Sequence, residues 1–267
     1  MVIKMEILEQ LTKYVLFTSH IENEKPVSLL IVANAESGKT VCIDKYNENE
    51  GIVYFNDITP WGLTKEIHKL HQLGKPINHI LIPDFLNIIA KNQVSQKGMI
   101  QFLKSGIEEG ITKIKTYGIE FDIGKTLNFG LITAITKDAF MSRRRNWSSI
   151  GFLSRMVPFS YKYKLTDVQN ILESIYEQQY HTNSKIKLIL PTTKVDIILP
   201  IEIAKKLRVY TQRLAYAEKI YGFRHQKQFQ TLLKAVALSK DKNKVDEDDF
   251  NDLEQCLEYC NLEFNQI

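Results

Sequence analysis

The chain has 267 residues, of which 44% are hydrophobic and 25% charged, and its formal net charge is +4. These are ordinary globular proportions, and they exclude a disordered, collagen-like or low-complexity protein. The three cysteines (Cys42, Cys256, Cys260) are too few for a disulfide framework, no apolar run reaches the length of about 18 residues that spans a membrane, and the start at Met1 lacks a signal-peptide pattern, so the expectation is a cytoplasmic protein without a membrane partner.

Apolar residues at 7, 8, 11, 14 and 15 predict an amphipathic helix over 6–18. Leu29-Leu30-Ile31-Val32 reads as a buried strand, and Ile52-Val53-Tyr54-Phe55 as a second. Leu63–Leu73 reads as a helix, ended by Gly74-Lys75-Pro76, and His79-Ile80-Leu81-Ile82 as a third strand. Helices are predicted over 85–91 and 98–109, a small hairpin over 112–121, and a strand over 131–136. Beyond Lys164 the texture turns helical, with helices predicted over 168–179, 201–221, 225–238 and 250–260 and extended segments at 186–190 and 195–199. Alternating strands and helices predict an α/β fold with a parallel sheet. The expected division is an α/β core with a short N-terminal helix over 1–165 and a mostly helical part over 166–267.

Charge is unevenly spread. Lys137–Lys164 holds seven basic residues against one acid, and Asp246–Glu263 holds eight acids and no base. A basic middle and an acidic tail suggest surfaces with different partners. Arg143-Arg144-Arg145-Asn146-Trp147 joins a basic cluster to an aromatic, a mixture suited to phosphate contact with base stacking, although Trp147 equally suits a core. Cys256 and Cys260, one helical turn apart with no histidine nearby, read as packing residues.

The strongest single signal follows the first strand: Ala33-Asn34-Ala35-Glu36-Ser37-Gly38-Lys39-Thr40. A phosphate-binding loop has the pattern Gly-x-x-x-x-Gly-Lys-Ser/Thr between a strand and a helix, and here Ala33 replaces the first glycine. In such a loop backbone N–H groups surround the phosphate, the lysine reaches the β- and γ-phosphates, and the hydroxyl of Thr40 ligates Mg²⁺. The acid needed at the end of a neighbouring strand is Asp84, which also fits a plain helix cap.

Several segments together resemble the AAA+ ATPases, within the branch of the minichromosome maintenance helicases, magnesium chelatases and enhancer-dependent activators. Glu108–Ile119 is similar to the segment leading into the pre-sensor-1 hairpin, and Asn128–Thr136 to the sensor-1 strand, with Thr136 in the sensor position. Gly151-Phe152-Leu153-Ser154-Arg155-Met156-Val157-Pro158 resembles the segment carrying the arginine finger. Arg224–Ala235 and Val245–Phe250 resemble the helical lid, with Arg224 or Lys227 as the sensor-2 residue. The resemblance covers roughly residues 28–260. It implies a P-loop core with a C-terminal lid, ATP and Mg²⁺ as cofactors, a ring or filament of identical subunits (a hexamer in the expected case), and Arg155 completing a neighbour's site.

The chain departs from that pattern at Ile82-Pro83-Asp84-Phe85. Two adjacent acids are usual there. Either Asp84 is the metal acid and Phe85 replaces the catalytic glutamate, or Pro83 replaces the metal acid and Asp84 is the glutamate. One acid is missing in both registers, with Glu36 or Asp57 as conceivable substitutes. Lys113 and Lys115 alternate with Ile114 and so project from one face of the hairpin, where the helicases carry a basic residue toward DNA. The expected function is an ATPase acting on DNA through Lys113, Lys115 and Arg143–Arg145. The alternative is an ATP-gated assembly switch that hydrolyses slowly and recruits a separate protein partner. A third reading, a protein remodeller, would grip its substrate with Tyr117.

Overall fold

A computed structural model describes residues 3–116, 119–177 and 184–262. Tyr117 lies outside them.

Five strands form one parallel sheet: β1 (Leu29–Ala33), β2 (Ile52–Tyr54), β3 (His79–Ile82), β6 (Gly130–Thr136) and β7 (Val157–Ser160), in the spatial order β2-β3-β6-β1-β7. A separate antiparallel hairpin is made by β4 (Ile111–Thr116) and β5 (Ile119–Leu127). The fold is α/β, compatible with Rossmann-like and P-loop arrangements. β1, β3 and β6 are apolar almost throughout because both faces of the sheet are covered.

The period-two alternation of the strands feeds two cores. Leu29, Ile31, Ala33, Ile132, Ala134 and Phe159 face one layer. That layer holds α1 (Ile3–Phe17), α2 (Lys39–Asp44) and four C-terminal helices, α8 (Ile201–Lys206), α9 (Arg208–Glu218), α10 (Phe223–Leu238) and α11 (Glu247–Leu257). Leu30, Val32, Ile80, Ile82, Leu131 and Ile135 face the other. There α3 (Pro60–Gln72), α4 (Leu86–Ile89), α5 (Gln93–Lys104) and α6 (Lys137–Ser149) pack. One apolar cluster therefore runs from the sheet through α1 into α10 and α11, and residue 165 is the first of α7 (Leu165–Tyr176).

Several elements differ from the sequence expectation. α6 has no broad apolar stripe; Phe140 and Trp147 are its fully buried side chains, so periodicity does not reveal it. β7 is short and contains Pro158, which an edge strand tolerates. The helix predicted over 201–221 is interrupted at Leu207. The extended segments at 186–190 and 195–199 make isolated bridges and loop contacts: Val195 pairs with Ile21, Ile198 with Lys244, and the Leu188 N–H donates to Asn49 Oδ1 at 2.7 Å. The acidic tail is largely used locally. Asp246 and Asp249 form a capping box for α11, and buried Asp249 is held by Lys240 and Lys242 at 2.7 and 3.1 Å. Among the described residues no helix is long and apolar enough to cross a membrane.

His79, at the start of β3, is fully buried, with Nε2 3.2 Å from the Val27 carbonyl and Nδ1 without a partner. Burial pushes its pKa down to about 3, against the pull of that carbonyl. The unfolded chain takes up a proton here as pH falls through 6.5, and the fold does not. The resulting stability is fully present above pH 6.5 and is lost as pH falls toward 3, at up to about 1.4 kcal/mol per pH unit. Urea unfolding at pH 7 and pH 5 should show that loss, and the His79 ring resonances should not titrate across the same interval.

Candidate functional site

After β1 the chain enters α2 on one face of the sheet, and after β6 it enters α6 on the other. Ala33 and Thr136, the last residues of these adjacent strands, are paired in register. A crevice beyond the carboxyl ends of the strands at such a divergence is where open α/β sheets bind ligands.

The Ala33–Thr40 sequence begins at this divergence, at the carboxyl end of β1. Ala33 is a buried strand residue, which explains how a residue other than glycine fits there. Asn34, Ala35 and Glu36 are exposed, with Glu36 at φ +57°. Gly38 has φ +84°, a conformation that strains any other residue, and an added Cβ would also lie 3.2 Å from the Met5 methyl. Lys39 is largely buried. Its ammonium donates to the Ala33 carbonyl at 3.2 Å, to Ser37 Oγ at 3.0 Å and to the Asn34 carbonyl. Burial lowers its pKa, and Asp84 acts in the opposite direction without pairing with it. Thr40 is exposed beside it.

Two tyrosines clasp the loop from the end of β7. The hydroxyls of Tyr161 and Tyr163 each donate to the Ser37 carbonyl at 2.7 Å, and burial raises the pKa of both, so they remain donors. The sequence reading missed them; nothing in their spacing points at residue 37. Tyr161→Phe should cost about 0.5–1.5 kcal/mol in a urea melt and raise amide exchange in the loop.

Asp84 follows β3, next to β6. One of its oxygens accepts the Leu86 N–H at 2.9 Å, in a turn just before α4 whose N-cap position is Phe85 and not Asp84, and the carboxylate still acts on Lys39. Phe85 is fully buried, 5.6 Å from Trp147 and 5.9 Å from Phe152 between ring centroids. No acid can replace it without entering that core. Asp57 is engaged by Lys91 at 2.6 Å. Thr136 is half-buried at the carboxyl end of β6, and its side chain caps nothing on α6.

Arg155, Arg224 and Lys227 do not join this group. Arg155 precedes β7, whose Val157 pairs with Leu29. It therefore sits at the amino end of the strands, about 16 Å away along the five-residue β1. Arg155 is nearly buried and bonded within its own chain, to Glu109 at 2.7 Å and Glu108 at 3.2 Å. Partial burial works to raise the Glu109 pKa, but the Arg155 bond prevails and lowers it. Arg224 shares Glu108 at 2.7 Å. Both arginines and Lys227 line a cavity of about 220 Å³.

The nucleic-acid candidates divide as well. Lys113 and Lys115 are exposed on one hairpin face, as their alternation with buried Ile114 requires, but each meets a cross-strand acid. Lys113 pairs with Asp122 at 3.3 Å and Lys115 with Glu120 at 3.0 Å. Arg143, Arg144 and Arg145 lie on α6; Arg144 donates to the Ala217 carbonyl at 3.0 Å. Trp147 is a core residue, ringed by Phe85, Phe140 and Phe152. Cys256 and Cys260 are buried, with pKa values raised by burial, and pack in the C-terminal layer.

No protein-family model matches the chain, and no curated protein matches it significantly.

Proposed function

We propose that the chain is an ATP-binding protein of the AAA+ type that assembles with copies of itself and acts on DNA. The observation that carries this reading is Lys39. Its ammonium is folded into a turn at the end of β1, satisfied by carbonyl and hydroxyl oxygens that a phosphate chain can replace. The donors suit ATP·Mg²⁺: Lys39 would bind the β- and γ-phosphates, Thr40 the metal, and Asp84 would be the one carboxylate beside it. The bound metal supplies neutralisation of phosphate charge. Thr136 stands next to Ala33 and can orient a water or a phosphate oxygen. Arg155 and Arg224, at the far end of the strands, suit a neighbour's nucleotide once freed from Glu108 and Glu109.

Phe85 favours the second reading, an ATP-gated switch with slow turnover that recruits a protein partner. In one of the two registers of Pro83-Asp84-Phe85 a buried aromatic stands where the second acid belongs, and the hairpin lysines are locally neutralised.

ATP hydrolysis with and without single- and double-stranded DNA separates the two. Turnover that rises with DNA supports the first. ATP binding with no turnover under any condition leaves the switch. Failure to bind ATP overturns both.

A further inference from the structure

The short stretch 216–223, at the end of α9 and the start of α10, leaves three aromatic side chains in water. Tyr216, Tyr221 and Phe223 are 87%, 88% and 74% exposed. Rings of this size are ordinarily the first groups a fold buries, and clustered exposure marks a surface that binds something. Two of them are already arranged. Tyr221 and Phe223 lie nearly parallel, 14° between planes and 5.7 Å between centroids. Gly222 between them has φ +80°, and an added Cβ would meet the Ala215 methyl at 2.9 Å, so the backbone that presents both rings admits little else.

This stretch is fastened to the arginine run of α6. Arg144 donates to the Ala217 carbonyl, and Arg224 donates to Ser154 Oγ at 3.4 Å, on the turn after α6. Among the described residues, Arg143, Arg144, Arg145 and Lys219 have no carboxylate within ion-pair distance. The hairpin lysines, by contrast, are both paired. The exposed ring stack thus lies close to the α6 segment that carries Arg143–Arg145, at a place that sequence order does not suggest.

We propose that this surface binds single-stranded nucleic acid, with Arg143, Arg145 and Lys219 on the phosphates and bases stacked on Tyr221 and Phe223. Positive groups with no acid of their own complement a polyanion. Flat exposed rings complement base faces, which a duplex hides and a single strand offers. The proposal rests on the nucleic-acid part of the proposed function, and it moves the contact from the hairpin to the α6–α10 surface.

The test is fluorescence anisotropy of a labelled oligothymidylate and of a duplex of equal length, at low and physiological salt, without nucleotide. The double variant Tyr221→Ala/Phe223→Ala should lose about tenfold or more in affinity for the single strand while keeping its duplex affinity. The double variant Arg143→Ala/Arg145→Ala should weaken both and lower the salt slope for the single strand by about 1.4. Circular dichroism checks the fold of each variant, and ATP affinity of the aromatic variant should match the parent. Absence of single-strand binding by the parent overturns the inference, as does full binding by the aromatic variant. So does an aromatic variant that loses only self-association in sedimentation, which would assign the surface to a second copy. Intact ATP binding alongside any of these failures removes this inference and leaves the nucleotide reading standing.

Discussion

Lys39→Ala is expected to weaken ATP binding by about 10- to 100-fold and to abolish turnover. The lysine is the only cation at the crevice whose ammonium already lies inside the turn, among the described residues. Burial destabilises its charge and Asp84 only partly restores it, so the group gains from an approaching anion. A hydrogen bond to a charged partner is worth about 1.5–3 kcal/mol, which converts to the stated loss in affinity. The Asn34 carbonyl left behind belongs to an exposed residue but the Ala33 carbonyl is buried, so a urea melt of the variant is run beside the titration to show that the fold survives. Calorimetric titration with ATP is the direct measurement. Unchanged affinity in the variant would falsify the phosphate-loop reading.

Phe85→Glu is expected to unfold the protein and not to supply the missing acid. Removing a buried phenyl ring costs about 3–5 kcal/mol, and an unpaired carboxylate in its place costs several more. Total stability for a domain is about 5–15 kcal/mol. The ring is wedged against Trp147 and Phe152, in an aromatic core. Urea titration would show a transition absent or shifted far down, whereas Phe85→Leu should fold and keep its ATP affinity. A folded Phe85→Glu protein with accelerated hydrolysis would mean that the side chain can swing to the crevice, and slow turnover would then follow from composition alone.

Much of the sheet was legible because buried parallel strands are short apolar runs, as at Leu29–Ala33 and His79–Ile82. The Gly38-Lys39-Thr40 turn was legible because its residue types are dictated by backbone geometry. What stayed hidden depends on pairings between distant segments. Asp122 and Glu120 cancel Lys113 and Lys115 only because of the hairpin register. Glu108 meets Arg224 from 116 residues away in sequence, a contact no local pattern encodes. Tyr161 finds Ser37 because β7 lies beside β1, and β7 itself was obscured by Pro158. Arg143–Arg145 were visible as a charge run, but not as residues of a helix, since α6 buries little.

The apolar cluster shared by the sheet, α1, α10 and α11 has a mechanical meaning. Parts of a chain swing against each other by default unless the contact between them is large and hydrophobic, and here no seam separates them. Among the described residues, α8 to α11 share one core with the sheet and α1, whereas α7 buries no side chain. Moving α8 to α11 outward would expose a core, so both halves should melt in one cooperative step. Any signal from the Lys39 turn must then pass as pressure between packed side chains, from α2 to α1 to α10, in the manner of a wedge and not of a door.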